Sequence, residues 1–220
     1  MPLQNRVTPE GEIVADLSRG LMMGNRGCLH GQGRELGVTR WRSKLWICCV
    51  LEFRGRRRDP MPPGRWTALF FLDEATALAA GHRPCAECRR GDYLDFTGAW
   101  RAARGLASPP RAQEMDAVLH RERVDRTRRK VTHWLPAAGL PDGVMIRAGG
   151  RAGLLIGGRV RPWSFTGYGT TSGVPRVAEV LTPPSIVAAI AAGYRPLVHP
   201  SAVDGAEGPL GVRVHPAGVR

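Results

Sequence analysis

The sequence predicts an α+β protein. A small zinc-binding unit, built from a hairpin, a short helix and a zinc knuckle, packs with a mixed α/β part containing short antiparallel strands. Three observations predict it. The runs LWICCVLEF at 45–53 and RWTALFFL at 65–72 are short, apolar and rich in strand formers. The stretch 73–88, DEATALAAGHRPCAEC, joins helix start and stop signals to a C-x-x-C pair. Residues 140–170 alternate short apolar runs with glycine pairs, the pattern of strands joined by tight turns.

Taken in order, residues 1–40 are polar and glycine-rich, with GNRGCLHGQG at 24–33, and read as loop or arm. Residues 1–24 form the N-terminal arm and 25–105 the zinc-binding unit. The strands at 45–53 and 65–72 are expected to pair around a basic tip, RGRRRDPMPPG, at 54–64. Asp73 is a good N-cap, Glu74 suits the positive end of the helix dipole, and Gly81 can take the left-handed exit position, with Pro84 just beyond. Further helices are expected over 92–104 and 113–126, broken by Ser108-Pro109-Pro110. Residues 106–200 make the mixed part, with strands at 144–147, 154–156 and 160–161. Trp163 to Tyr168 form an aromatic loop or strand, and a helix runs from Ser185 to Gly193. Residues 201–220 read as a flexible tail. The segments Ala77-Leu-Ala-Ala-Gly-His-Arg-Pro84 and Ala189-Ile-Ala-Ala-Gly-Tyr-Arg-Pro196 repeat the same helix exit.

The 220 residues carry 32 Lys and Arg against 19 Asp and Glu, a net charge of +13, which favours polyanionic partners, nucleic acid first. Only Lys44 and Lys130 are lysines, an arginine bias that a GC-rich coding sequence also produces. No apolar run is long enough for a membrane span and no secretory h-region opens the chain, so no membrane partner is expected. Five cysteines, two of them in C-x-x-C, fit reduced thiols in the cytoplasm better than a disulfide framework.

Cys85 and Cys88 have the spacing of a zinc knuckle, in which one tight turn offers two thiolates to one ion. They follow a helix exit and a proline, whereas a thioredoxin-type dithiol opens a helix after a strand. Four ligands are the rule for structural zinc. Adjacent cysteines in a strand face opposite sides, so one of Cys48 and Cys49 is free to join. The expected set is Cys28, Cys49, Cys85 and Cys88, with Cys48 and His30 as substitutes.

Residues 69–90, LFFLDEATALAAGHRPCAECRR, resemble the second half of the metal-binding domain of the Ada family of bacterial methyl phosphotriester repair proteins. The resemblance extends loosely back to Trp46. It implies that Cys85 and Cys88 ligate zinc, that DNA is the favoured partner, and that the setting is DNA repair or its regulation. The family's first pair, C-x-x-x-C, is replaced here by Cys48-Cys49. The methyl-accepting thiolate of the family belongs to that pair, which makes Cys49 a catalytic candidate by resemblance. The DNA-contacting candidates are Arg54, Arg56, Arg57, Arg58, Arg89 and Arg90. A rival reading is a metal-dependent hydrolase or nuclease, because Asp116 and His120 are four apart on one helix face and His133 follows. A third is a non-catalytic scaffold stapled by zinc.

Overall fold

A computed structural model describes residues 1–55, 59–204 and 211–216. The chain is mixed α+β. In order it forms β1 (Gln4–Val7), β2 (Ile13–Ala15), β3 (Met22–Asn25), β4 (Ile47–Cys49), β5 (Leu69–Phe71), α1 (Glu74–Ala79) and β6 (Arg83–Pro84). Two longer helices follow, α2 (Arg90–Ala103) and α3 (Ala112–Arg123). Then come β7 (His133–Pro136), β8 (Met145–Ala148), β9 (Arg151–Ile156), β10 (Arg159–Ser164), β11 (Gly167–Tyr168) and β12 (Val177–Val180). Last are α4 (Pro184–Ala191), β13 (Leu197–Val198) and β14 (Arg213–Val214).

The strands make two six-stranded sheets, ordered β2-β1-β5-β3-β4-β6 and β11-β10-β9-β8-β12-β7, plus the parallel pair β13-β14. The second sheet is antiparallel throughout. Its glycine pairs sit where expected, at the turns, and Gly149, Gly150, Gly157 and Gly158 all take positive φ.

α1 is the hub. Asp73 caps it, accepting from the Thr76 backbone N–H at 2.9 Å. Every residue of the helix is buried. Leu78 enters the core shared by α2, α3, α4 and the second sheet. Ala75 and Ala79 pack with Met145, Leu154 and Tyr168. Ala77 and Ala80 pack on the first sheet with Val7, Met22 and Phe71. The run of alanines has a physical reason: a helix enclosed on all sides has room for small side chains only.

The repeated helix exit is real in structure. Gly81 (φ 85°) and Gly193 (φ 106°) both occupy the left-handed position. The residue after each, His82 or Tyr194, donates its N–H to a carbonyl five positions back, Ala77 or Ala189. The helix starts differ: Pro183 is the N-cap of α4, and Ser185 instead donates its hydroxyl to Glu122 at 2.5 Å.

Three expectations are corrected. The described part of 201–220 is not a loose tail: Arg213 and Val214 form β14 against β13, and Ala202 and Val212 are buried in the core. Residues 1–24 are not a separate arm, since β1, β2 and most of β3 belong to the first sheet. The strands around 47–49 and 69–71 do not form a hairpin: β3 lies between them, pairing Met23 with Cys49 on one side and with Phe70 on the other. Gly24 allows that insertion, because a Cβ there would stand 2.1 Å from the Ile47 carbonyl oxygen.

Candidate metal centre

β4 and β6 run parallel, with Cys48 opposite Pro84. The pairing continues into the knuckle, where the Cys85 N–H donates to the Cys48 carbonyl at 2.9 Å. The alternation of β4 then sorts the two adjacent cysteines. Cys48 faces the core with Leu69, Phe71 and Ala77. Cys49 faces the other way, with Met23, Ala68 and Cys85. As a result the Sγ atoms of Cys49, Cys85 and Cys88 all lie within 4.8 Å of one another. This is the one cluster of three or more His, Cys, Asp or Glu side chains with metal-holding geometry among the described residues.

The three sulfurs share protons. Cys85 is the sulfur most easily ionised, because the thiols of Cys49 and Cys88 both donate to its thiolate and the Glu87 N–H lies 3.4 Å away. The same hydrogen bonds hold Cys49 in its protonated form. A metal ion replaces the shared protons and ionises the set, so this trio can supply three of the ligands of one ion. Cys48 is outside it. Burial pushes its thiol well up, and Arg89 donates to its sulfur at 3.5 Å.

The remaining candidates are dispersed. Cys28 does not join the cluster: it is half-buried beside the His30 carbonyl, in a separate cavity with Gly37 and Arg42. The His30 ring is committed, its Nδ1 2.6 Å from the Thr67 hydroxyl and its Nε2 3.1 Å from the Pro62 carbonyl. β3 explains the separation: Cys28 lies beyond the end that pairs Asn25 with Ile47, away from Cys49.

Arg89 is not available to a nucleic acid. It is 4% exposed, ion-paired to Glu74 at 2.8 Å and to Asp92 at 2.7 Å. Arg90 and Arg54 are exposed, over the rings of Tyr93 and Phe53. Arg56, Arg57 and Arg58 lie outside the described residues.

Asp116 and His120 share α3 but not a site. Both Asp116 oxygens accept from Arg83 at 2.8 Å, in a buried pair. His120 packs edge-on against Trp41 and lies 3.3 Å from an Arg123 nitrogen. His133 sits on β7, and its Nε2 has no partner among the described residues. A carboxylate bound twice to a guanidinium is not free to orient an imidazole, so the hydrolase arrangement does not assemble.

What the sequence reading missed is a second constellation. Arg26, Arg123 and Lys130 converge from β3's exit, α3 and the following loop on one cavity of about 620 Å³. The signal available was the pair Trp41 and Trp46 amid arginines, a composition that aromatic–cation contacts favour.

No family model, no curated protein and no solved structure matches the chain. No helix of the described residues is long and apolar enough to cross a membrane.

Proposed function

We propose that the chain is a zinc-stabilised nucleic-acid-binding protein, with DNA the favoured partner and DNA repair or its regulation the setting. The observation that carries the reading is the convergence of Cys49, Cys85 and Cys88 at the junction of β4, β6 and the start of α2. Three soft sulfurs in an apolar wall suit Zn²⁺, which thiolates select among the common divalent ions. The ion ties the first sheet to α2 and so fixes the exposed Arg90 at the helix entrance. Net charge of +13 supplies the attraction to phosphate. The resemblance of residues 69–90 to the Ada metal-binding domain supports both the metal and the partner.

Fluorescence anisotropy with single- and double-stranded DNA over a salt series tests the reading. The expected result is binding whose log K falls linearly with log salt, by about 0.9 for each duplex phosphate neutralised. Replacing Arg54, Arg56, Arg57 and Arg58 together by Gln makes the slope shallower. Absence of binding to either form at low salt, by protein holding its zinc, removes the nucleic-acid assignment.

A further inference from the structure

The knuckle occupies one end of the parallel pair β4 and β6; a basic cavity occupies the other, where Trp46 and His82 precede the two strands. Seven cationic side chains and three carboxylates line this cavity. Two of the carboxylates, Glu10 and Glu179, are held by Arg147 on one wall. The opposite wall has no such balance. Arg26 and Arg123 are 2% and 1% exposed, and no carboxylate lies within ion-pair distance of either, or of Lys130, among the described residues. Backbone carbonyls partner them instead: Gly11 for Arg26 at 2.9 Å, Gly81 and Lys44 for Arg123 at 2.8 and 2.7 Å, and Ala79 for Lys130. Arg26 Nη2 and Arg123 Nε have no hydrogen-bond partner among the described residues. Both guanidiniums lie over the Trp46 ring, at 4.0 and 3.8 Å from its centroid.

Buried charges are kept paired because desolvation is costly, and a guanidinium cannot escape the cost by losing its proton. Burial and the neighbouring Arg26 drive the Lys130 ammonium down to about 7. Two buried guanidiniums with nitrogens unsatisfied among the described residues, beside a lysine that a bound phosphate would recharge, are arranged for an anion. The half-exposed Trp41 lines the same cavity and offers a flat apolar wall beside them.

We propose that this cavity binds a nucleotide through its terminal phosphate, which Arg26, Arg123 and Lys130 hold while the base lies against Trp41. A terminal phosphate is a dianion with a free end that can enter a cavity; an internal diester is neither. The shared chemistry has two sources, a free nucleotide or the 5′-phosphorylated end of a strand. The site goes beyond the proposed function, since general nucleic-acid binding needs surface charge alone.

The test is titration calorimetry on the full, zinc-loaded chain in phosphate-free buffer. The probes are adenosine monophosphate, adenosine, inorganic phosphate, and one oligodeoxynucleotide with a 5′-phosphate or a 5′-hydroxyl. The nucleotide is expected to bind at least tenfold more tightly than adenosine or inorganic phosphate. Lys130→Met is expected to lose at least fivefold in nucleotide affinity without a fall in melting temperature, and Arg40→Gln at the cavity lip at least threefold. A preference for the 5′-phosphorylated strand assigns the site to strand ends; equal binding of the two strands with the nucleotide preference kept assigns it to free nucleotides. Equal affinity for nucleotide and adenosine, inorganic phosphate bound as tightly as nucleotide, or unchanged affinity in both variants overturns the proposal. Strands that bind while the nucleotide does not defeat this site alone. A nucleotide that binds while neither strand does defeats the nucleic-acid reading alone.

Discussion

Arg89, the residue after the last knuckle cysteine, forms an ion pair of 2.8 Å with Glu74, the first residue of α1, and both side chains are almost fully buried. The pair joins the thiolate cluster to the hub of the fold. Glu74 is enclosed further by the Tyr194 hydroxyl at 2.5 Å and the Leu197 N–H at 2.8 Å, which both donate to it.

Removing one partner of such a pair leaves the other charge buried. Glu74→Ala is expected to destabilise the fold by about 3–5 kcal/mol. Denaturant unfolding measures it. Arg89→Met with Glu74→Leu is expected to recover part of the loss, since both charges then disappear together. A Glu74→Ala loss below about 1 kcal/mol would mean that Asp92 alone suffices for Arg89.

The helix of 74–79 and its exit were legible because their signals are local. Asp73 bonds a backbone group three residues on, and Gly81 needs only its own φ. The place of β3 was not legible. Met22, Met23, Gly24 and Asn25 carry no alternating pattern, and their partners come from strands more than twenty residues away. For the thiols, strand alternation showed that Cys48 and Cys49 diverge, but the direction of Cys28 depends on where β3 lies in the sheet. The cavity was hidden for a related reason. Arg26, Arg123 and Lys130 are scattered in a chain where arginine is everywhere, and only folding brings the buried Arg26 and Arg123 and the half-buried Lys130 together without a carboxylate partner among the described residues.

Cysteine labelling separates the thiols. In metal-free protein, an alkylating reagent is expected to modify the half-buried Cys28 and Cys88 well before Cys48, because Cys48 is fully buried and its thiol resists ionisation. Adding zinc is expected to protect Cys88 and leave Cys28 reactive. Peptide mass spectrometry reads both outcomes, and zinc protection of Cys28 would place it in the metal site after all.

The pH dependence of stability follows from the buried bases. His82 is held well below its usual range by burial and by Arg26 and Arg123. As pH falls below about 6.5 the unfolded chain takes up a proton that the folded chain refuses, so stability drops. Lys130 is depressed from 10.5 to about 7 by burial and Arg26, against an opposing pull from Glu10 that exceeds the further push from Arg123. Between pH 7 and about 9 the unfolded chain therefore holds the extra proton, and stability rises with pH. From about 9 the rise is offset and then reversed, because burial keeps the Cys48 thiol and, above 10, the Tyr168 and Tyr194 hydroxyls protonated while their unfolded counterparts ionise. Thermal melts in phosphate-free buffer are expected to show the rise from pH 7 to about 9, and Lys130→Met to flatten it. A wild-type profile flat over that range would show that Lys130 keeps its ordinary affinity for the proton.

The central claim is that Cys49, Cys85 and Cys88 hold one zinc ion. Metal analysis of protein purified without chelator, on wild type and single-cysteine variants, tests it most directly. The account predicts one zinc per chain in wild type, retained in Cys28→Ser and Cys48→Ala and lost in Cys85→Ser, with that loss lowering the melting temperature because the metal contributes to folding. Wild-type protein without stoichiometric metal, or zinc lost with Cys28 and kept without Cys85, would contradict it.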